Sequence, residues 1–212
     1  MNLKDIEFIL DELCKLYPSP KTELEHRNPY ELLVATMLSA QCTDKRVNLV
    51  TPELFRVCPS TAELAEIDID DLKYLIKSIN FFNNKAVNLK RMAQILQQEH
   101  NGEVPKSREA LEALPGVGRK TANVVLANAF GIPALAVDTH VYRVTNRLGI
   151  VHEKEPLKTE QALLKVIPKK WWIDGHHLFI LHGRRICIAR KPKCEECPVR
   201  GKCEYYKKLT QE

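Results

Sequence analysis

Seven residues, Leu114-Pro115-Gly116-Val117-Gly118-Arg119-Lys120, constrain the fold of this chain more than any other stretch. They hold a helix stop, a two-glycine turn and a new helix start. The turn therefore predicts a helical hairpin. The first N–H groups of the second helix lack helical partners and can grip an anion such as a phosphate. Gly116 and Gly118 can take positive φ and leave no Cβ between backbone and anion. A plain αα-corner, with glycine for tightness alone, is the simpler alternative. Lys120 stands in the first turn, where the helix dipole, Arg119 and partial burial all disfavour its charged form. A neutral amine beside a phosphodiester is a nucleophile able to form a Schiff base. A surface lysine that touches phosphate is the simpler alternative.

The rest of the chain is punctuated as short helices. Ile6, Ile9, Leu10, Leu13 and Leu16 line one face of a first helix that ends before Pro18. Asn28-Pro29 reads as a cap followed by proline at the first helical position. A helix starts near Asp44, and Pro52 is expected to kink or break it. Ser60 and Glu63 have capping-box spacing, and Asp68 caps the next helix. A longer helix spans about residues 84–100 and stops at Asn101-Gly102. Ser107 caps a short helix into the hairpin, and Thr121–Phe130 is apolar nearly all round, hence buried. Asp138 caps a helix that Gly149 stops, and two more run near Leu157–Ile167 and His176–Ile188. No alternating strand pattern stands out, so the expected fold class is all-α.

At 212 residues the chain can form one domain or two small ones. It has no apolar run of about 18 residues, which argues against a helical membrane span. Met1 leads straight into an amphipathic helix without a secretion signal, so a soluble protein of a reducing compartment is expected. Net charge is +5, but Arg184 to Lys208 holds nine Lys or Arg and three Glu, a net +6. The remainder is then −1. A basic excess in the last fifth of a chain fits contact with a polyanion, or simply a solvated tail.

Cys14, Cys42 and Cys58 are scattered and read as small buried residues. Cys187, Cys194, Cys197 and Cys203 crowd into 17 residues with six, two and five residues between them. Four thiols so placed are expected to bind metal. Zinc is the generic candidate, although zinc modules usually show two close pairs.

Asp138, in Val137-Asp138-Thr139-His140, needs no role beyond capping. A carboxylate fixed at a helix N-terminus can also relay a proton or stabilise developing positive charge. Facing one cleft, Asp138 and Lys120 would supply a base and a nucleophile.

The hairpin string, Val137–His140 and the four-cysteine loop together resemble the endonuclease III family of helix-hairpin-helix DNA glycosylases. Leu38-Ser39-Ala40-Gln41-Cys42-Thr43-Asp44 is similar to the family's loop that enters the duplex, and Ile188–Cys194 to its cluster-loop sequence. The resemblance covers about residues 28–206. It implies two helical lobes with a DNA cleft between them. One is a six-helix domain at 22–132, with the hairpin at about 107–130. The other joins 1–21 to 133–212 and carries an iron–sulfur domain, with the cluster loop at 187–203. It assigns a [4Fe–4S] cluster to Cys187, Cys194, Cys197 and Cys203.

The implied activity is base excision repair of oxidised or ring-saturated pyrimidines, with lyase cleavage at abasic sites. Lys120 attacks C1′ of a flipped nucleotide and Asp138 assists. Gly116, Gly118 and Arg119 hold backbone phosphate, and Gln41 fills the space the nucleotide leaves. His140 either contacts the DNA backbone or is a cap-region histidine. Arg190, Lys191 and Lys193 form a phosphate platform stiffened by the cluster. The partner is double-stranded DNA with damaged pyrimidines or abasic sites, not a membrane. A monomer is expected, cytoplasmic and nucleoid-associated in a prokaryote.

One stretch departs from the pattern. The family usually reads Gly-Leu-Tyr-Asn before Lys-Ala, with leucine as a wedge. Here Asn80-Phe81-Phe82-Asn83 stands there, followed by Asn84-Lys85-Ala86. Phe81 is the expected wedge, with Asn80 accepting the left-handed backbone that glycine would give. Two other functions compete. A monofunctional mismatch or adenine glycosylase usually lacks a lysine at the position of Lys120. A non-enzymatic iron–sulfur DNA-binding protein leaves Lys120 and Asp138 unexplained.

Overall fold

The structure is a computed structural model that describes residues 1–211. Among the described residues there are twelve α-helices, three short 3-10 turns and no strand. The chain divides into two compact units, Thr22–Ile132 and Met1–Lys21 together with Pro133 onward.

In the unit Thr22–Ile132, α2 (Pro29–Ser39) is the central helix, and Tyr30 through Leu38 are all buried. Asn28 caps it by accepting from the Glu31 N–H, and Pro29 opens it. Glu31 is buried too, and its carboxylate accepts from the Arg27 backbone and guanidinium at 2.6–2.8 Å. A buried charge is tolerable only with such pairing. α2 packs against α3 (Asp44–Val57), α6 (Phe82–Glu99) and α8 (Arg119–Phe130). α4 (Thr61–Glu66) and α5 (Ile69–Leu75) lie on α6, and α7 (Arg108–Glu112) precedes the hairpin turn. The capping box at Ser60 and Glu63 forms, and Asp68 and Ser107 cap as their positions predict.

Pro52 does not break α3; it sits inside a continuous helix. An interior proline costs about 3 kcal/mol. Val47, Leu54 and Phe55 bury the same face of α3, and each buried side chain of this size contributes about 1.5–3 kcal/mol. Packing outweighs the lost hydrogen bond.

The other unit is built on α1 (Leu3–Leu16), α9 (Thr139–Leu148), α10 (Pro156–Val166), α11 (Trp172–Arg185) and α12 (Glu204–Leu209). Ile6, Ile9, Leu10 and Leu13 join one core with Val141, Val144, Leu178 and Phe179. Leu16 is exposed instead, and Tyr17 closes the α1 stripe. α11 starts a turn earlier than the sequence pattern predicts and ends before Ile188. α12, six residues without a buried side chain, has no apolar signature.

Candidate functional site

The hairpin is held from below by Leu114 and Val117, both buried, and the Val117 N–H donates to the Leu114 carbonyl at 3.1 Å. Gly116 has φ +78, and a Cβ there would stand 3.0 Å from Asn88 Cβ and 3.1 Å from Met37 Cε. Conformation favours glycine at that position, and a side chain there would push on Asn88 and Met37. Gly118 does not use that freedom. Its φ is −94 because it is the extended cap residue of α8, and a Cβ there would meet nothing within 4 Å. The protein's own packing does not demand glycine at 118; the open space lies in front of the helix end. No side chain caps α8. Lys120 is exposed rather than partly buried, and Arg119 is half-buried.

Gln41 and Phe81 stand at the ends of two loops of the same unit, both exposed. The left-handed residue is Phe81, φ 58, and not Asn80. Phe81 must turn the chain into α6, whose cap position it occupies. Gln41 is also left-handed, φ 55. Such backbone costs a non-glycine residue about 1–3 kcal/mol. Asn80 Nδ2 donates to the Gln41 carbonyl at 2.6 Å. Lys85 Nζ donates to the carbonyls of Leu38 and Ala40 at 2.7 and 2.6 Å, closing the end of α2. Sequence reasoning missed both contacts, which join residues some 40 positions apart.

Asp138 and His140 open α9. Asp138 Oδ1 accepts from the N–H groups of His140 and Val141, each at 2.8 Å. Burial pushes the His140 pKa below the usual histidine value; Arg143 and Arg184 push the same way and Asp138 opposes. His140 Nδ1 lies 3.1 Å from Arg143 Nη2, so a neutral ring accepts there and keeps its proton on Nε2. Further along α9, Arg143 donates to the Cys187 and Gly183 carbonyls at 3.1 and 2.9 Å. Arg147 donates to the Ile188 and Ala189 carbonyls at 2.8 and 2.9 Å. These arginines, also missed, left one readable trace. Positions 140, 143 and 147 share a helix face.

Cys187, Cys194, Cys197 and Cys203 line one small cavity with His182 and Ile186, and none is in a disulfide. Burial pushes Cys197 up to about 11 and raises Cys194 and Cys203. Thiols held this way need a positive partner to stay deprotonated. His182 Nε2 lies 3.5 Å from Cys197 Sγ, and Arg147 Nη1 lies 3.6 Å from Cys187 Sγ. Among the described residues, no three His, Cys, Asp or Glu side chains close on a site for a single metal ion. Four thiols lining one cavity can hold a group bound through four thiolates. Arg190 and Lys191 are exposed in this loop, and Lys191 is left-handed, φ 52. Lys193 is exposed as well but lies 3.7 Å from the Glu196 carboxylate, which offsets its charge.

Residues 34–169 match the HhH-GPD superfamily of base excision DNA repair proteins, and residues 187–203 match the iron–sulfur binding domain of endonuclease III. The chain is 51% identical to the endonuclease III of Haemophilus influenzae over 201 residues, which cover 95% of each chain. A solved non-covalent endonuclease III–DNA complex overlays with a TM-score of 0.94 at 45% identity, across 100% of both chains. A trapped endonuclease III–DNA covalent intermediate gives 0.93 at 45% identity, across 99% of both. The hairpin, the four-thiol cavity and these likenesses together make the chain a member of the HhH-GPD superfamily of base excision DNA repair proteins, in its endonuclease III family, with a [4Fe–4S] cluster.

Proposed function

We propose that this base excision repair DNA glycosylase and AP lyase acts on oxidised or ring-saturated pyrimidines and abasic sites in double-stranded DNA, with Lys120 as its nucleophile. One observation carries the proposal: an exposed amine stands two residues after Gly118, at a helix start that no side chain caps. Gly116, Gly118 and Arg119 would hold a backbone phosphate there, and the sugar next to that phosphate comes within reach of the amine. The bound duplex covers Lys120 and removes the water that surrounds it in the free protein.

The damaged nucleotide leaves the stack, because its C1′ is out of reach within the duplex. Lys120 Nζ bonds to C1′ as the bond from C1′ to the base breaks, and the base departs with that electron pair. The amine loses its proton and the sugar ring opens, which leaves an imine between Lys120 and the sugar. A proton then leaves C2′, the C3′–O bond breaks and the 3′ phosphate departs. The Asp138 carboxylate, oriented by two N–H groups, takes the amine's proton and faces the positive charge on the sugar.

Gln41 occupies the space of the displaced nucleotide and Phe81 wedges the neighbouring step. His140 offers its Nε2 proton to the DNA backbone. Cys187, Cys194, Cys197 and Cys203 hold the [4Fe–4S] cluster, which when bound supplies a fixed loop shape and a net charge of about −2 with its four thiolates. Arg190 and Lys191 follow the phosphates, with Lys193 a weaker contributor. The protein works as a cytoplasmic monomer.

A duplex with one thymine glycol, incubated with borohydride, tests this. A reduced, permanent protein–DNA bond that disappears in Lys120→Gln, with DNA binding kept, is the expected result. Base release without any trapped complex would place the protein with the monofunctional mismatch glycosylases. Binding without release or trapping would overturn the pyrimidine substrate class.

A further inference from the structure

Two loop ends in the unit Thr22–Ile132 carry non-glycine residues in left-handed backbone, Gln41 and Phe81. Neither rests on an apolar bed; Phe81 is 63% exposed. Side chains in this position relax toward commoner backbone unless something holds them. Three hydrogen bonds do so. Asn80 Nδ2 reaches the Gln41 carbonyl, and Lys85 Nζ reaches the carbonyls of Leu38 and Ala40. Asn80 immediately precedes Phe81, and Lys85 lies in the first turn of α6, which Phe81 caps. The bonds therefore close a ring through residues 38–41 and 80–85. The bonds tie the two loop ends to each other.

We propose that Asn80 is a positioning residue that presets Gln41 and Phe81 as a rigid two-pronged tip. The proposal rests on the roles given above to Gln41 and Phe81 in the opened duplex. With the tip ordered beforehand, insertion does not have to order it. A fixed Gln41 backbone also fixes where its side-chain amide meets the base left opposite, so the choice among opposite bases depends on the Asn80 bond. Glycine, usual at this position in the family pattern, has no side-chain amide to make that bond. This chain pairs the added amide with a bulkier residue at 81.

The experiment measures strand cleavage at a preformed abasic site placed opposite each of the four bases in duplex DNA. The same site in single-stranded DNA, which has no opposite base and no stack to wedge, serves as reference. Asn80→Ala removes the donor, and Asn80→Asp keeps the shape but replaces the N–H with an acceptor. Both variants are expected to cleave the duplex about tenfold more slowly, the scale of one lost hydrogen bond. The spread among opposite bases narrows, while single-strand cleavage and the melting temperature match the parent. Equal losses on duplex and single strand, or no loss on either, would overturn the positioning role. Gln41→Ala and Phe81→Ala are measured alongside. If they leave duplex cleavage unchanged, the assignment of the tip fails whatever Asn80 does. If they slow it and the Asn80 variants do not, only the clamp fails.

Discussion

The hairpin at 114–120 and the cysteine loop at 187–203 are both read as phosphate-facing, yet different forces hold them. The hairpin is shaped by ordinary protein chemistry: buried Leu114 and Val117 beneath it, and a left-handed, closely packed glycine at 116. The cysteine loop has little apolar anchorage. Val199 and Cys203 are its buried residues, two 3-10 turns supply its regular structure, and Arg143 and Arg147 hold its carbonyls from outside. One surface is held by packed side chains beneath it. The other is held by arginine contacts to its carbonyls, and its sequence specifies ligands rather than a core.

That contrast is open to attack from several sides. The largest effect is expected from Cys197→Ser. Visible absorption from the cluster disappears, and the unit containing the loop loses about 4 kcal/mol or more of stability in denaturant unfolding. The unit Thr22–Ile132 keeps its own transition; a matching loss there would break the distinction between the two surfaces.

Acid separates the units next. Burial lowers the pKa of His177 to about 3, and His176 pushes the same way. The ring is neutral in the folded protein, whereas in the unfolded chain it takes up a proton below about pH 6.5. Its contribution to stability is full above that pH and is lost as pH falls through the window down to the folded value. The group adds a slope of up to about 1.4 kcal/mol per pH unit. Urea unfolding between pH 6.5 and 4.5 is expected to show His177→Gln with a shallower dependence, by one proton; an unchanged slope would remove histidine as the cause.

Within the hairpin the two glycines should part company. Gly116→Ala forces a left-handed alanine against Asn88 and Met37 and is expected to cost about 2 kcal/mol. Gly118→Ala changes a cap residue in open space and is expected to cost at most about 1 kcal/mol, while weakening binding to duplex DNA more than Gly116's stability loss would suggest. Thermal melts and a binding titration of both variants decide it. If Gly118→Ala binds DNA like the parent, the open space before α8 is not a phosphate seat. The smallest effect belongs to Lys191→Ala. Affinity should drop similarly for all DNA sequences, and the slope of log affinity against log salt should fall by about 1.

Helix ends were the most legible part of the fold, because caps are local chemistry. Asn28, Ser60, Asp68, Ser107 and Asp138 all cap the helices that their positions predict. Pro52 does not break α3, because burial of the α3 face is a tertiary effect, invisible to a local rule. α12 and the 3-10 turns carry no apolar period to read. At the site, the hairpin and the cysteine spacing were legible as contiguous strings. The Asn80–Gln41 bond and the Arg143 and Arg147 contacts were not, since each spans about 40 residues and depends on how loops meet. Phe81 shows the same limit at a single residue. The sequence located the departure from the family pattern, but only the start of α6 showed which residue turns left-handed.

α9 is ten residues long, a rod of about 15 Å. Asp138 is fixed at one end, and Arg147 grips the carbonyls beside Cys187 near the other. The Asp138 cap and the Arg147 hold on the cysteine loop therefore belong to one rigid element, and where the helix lies sets the place of both.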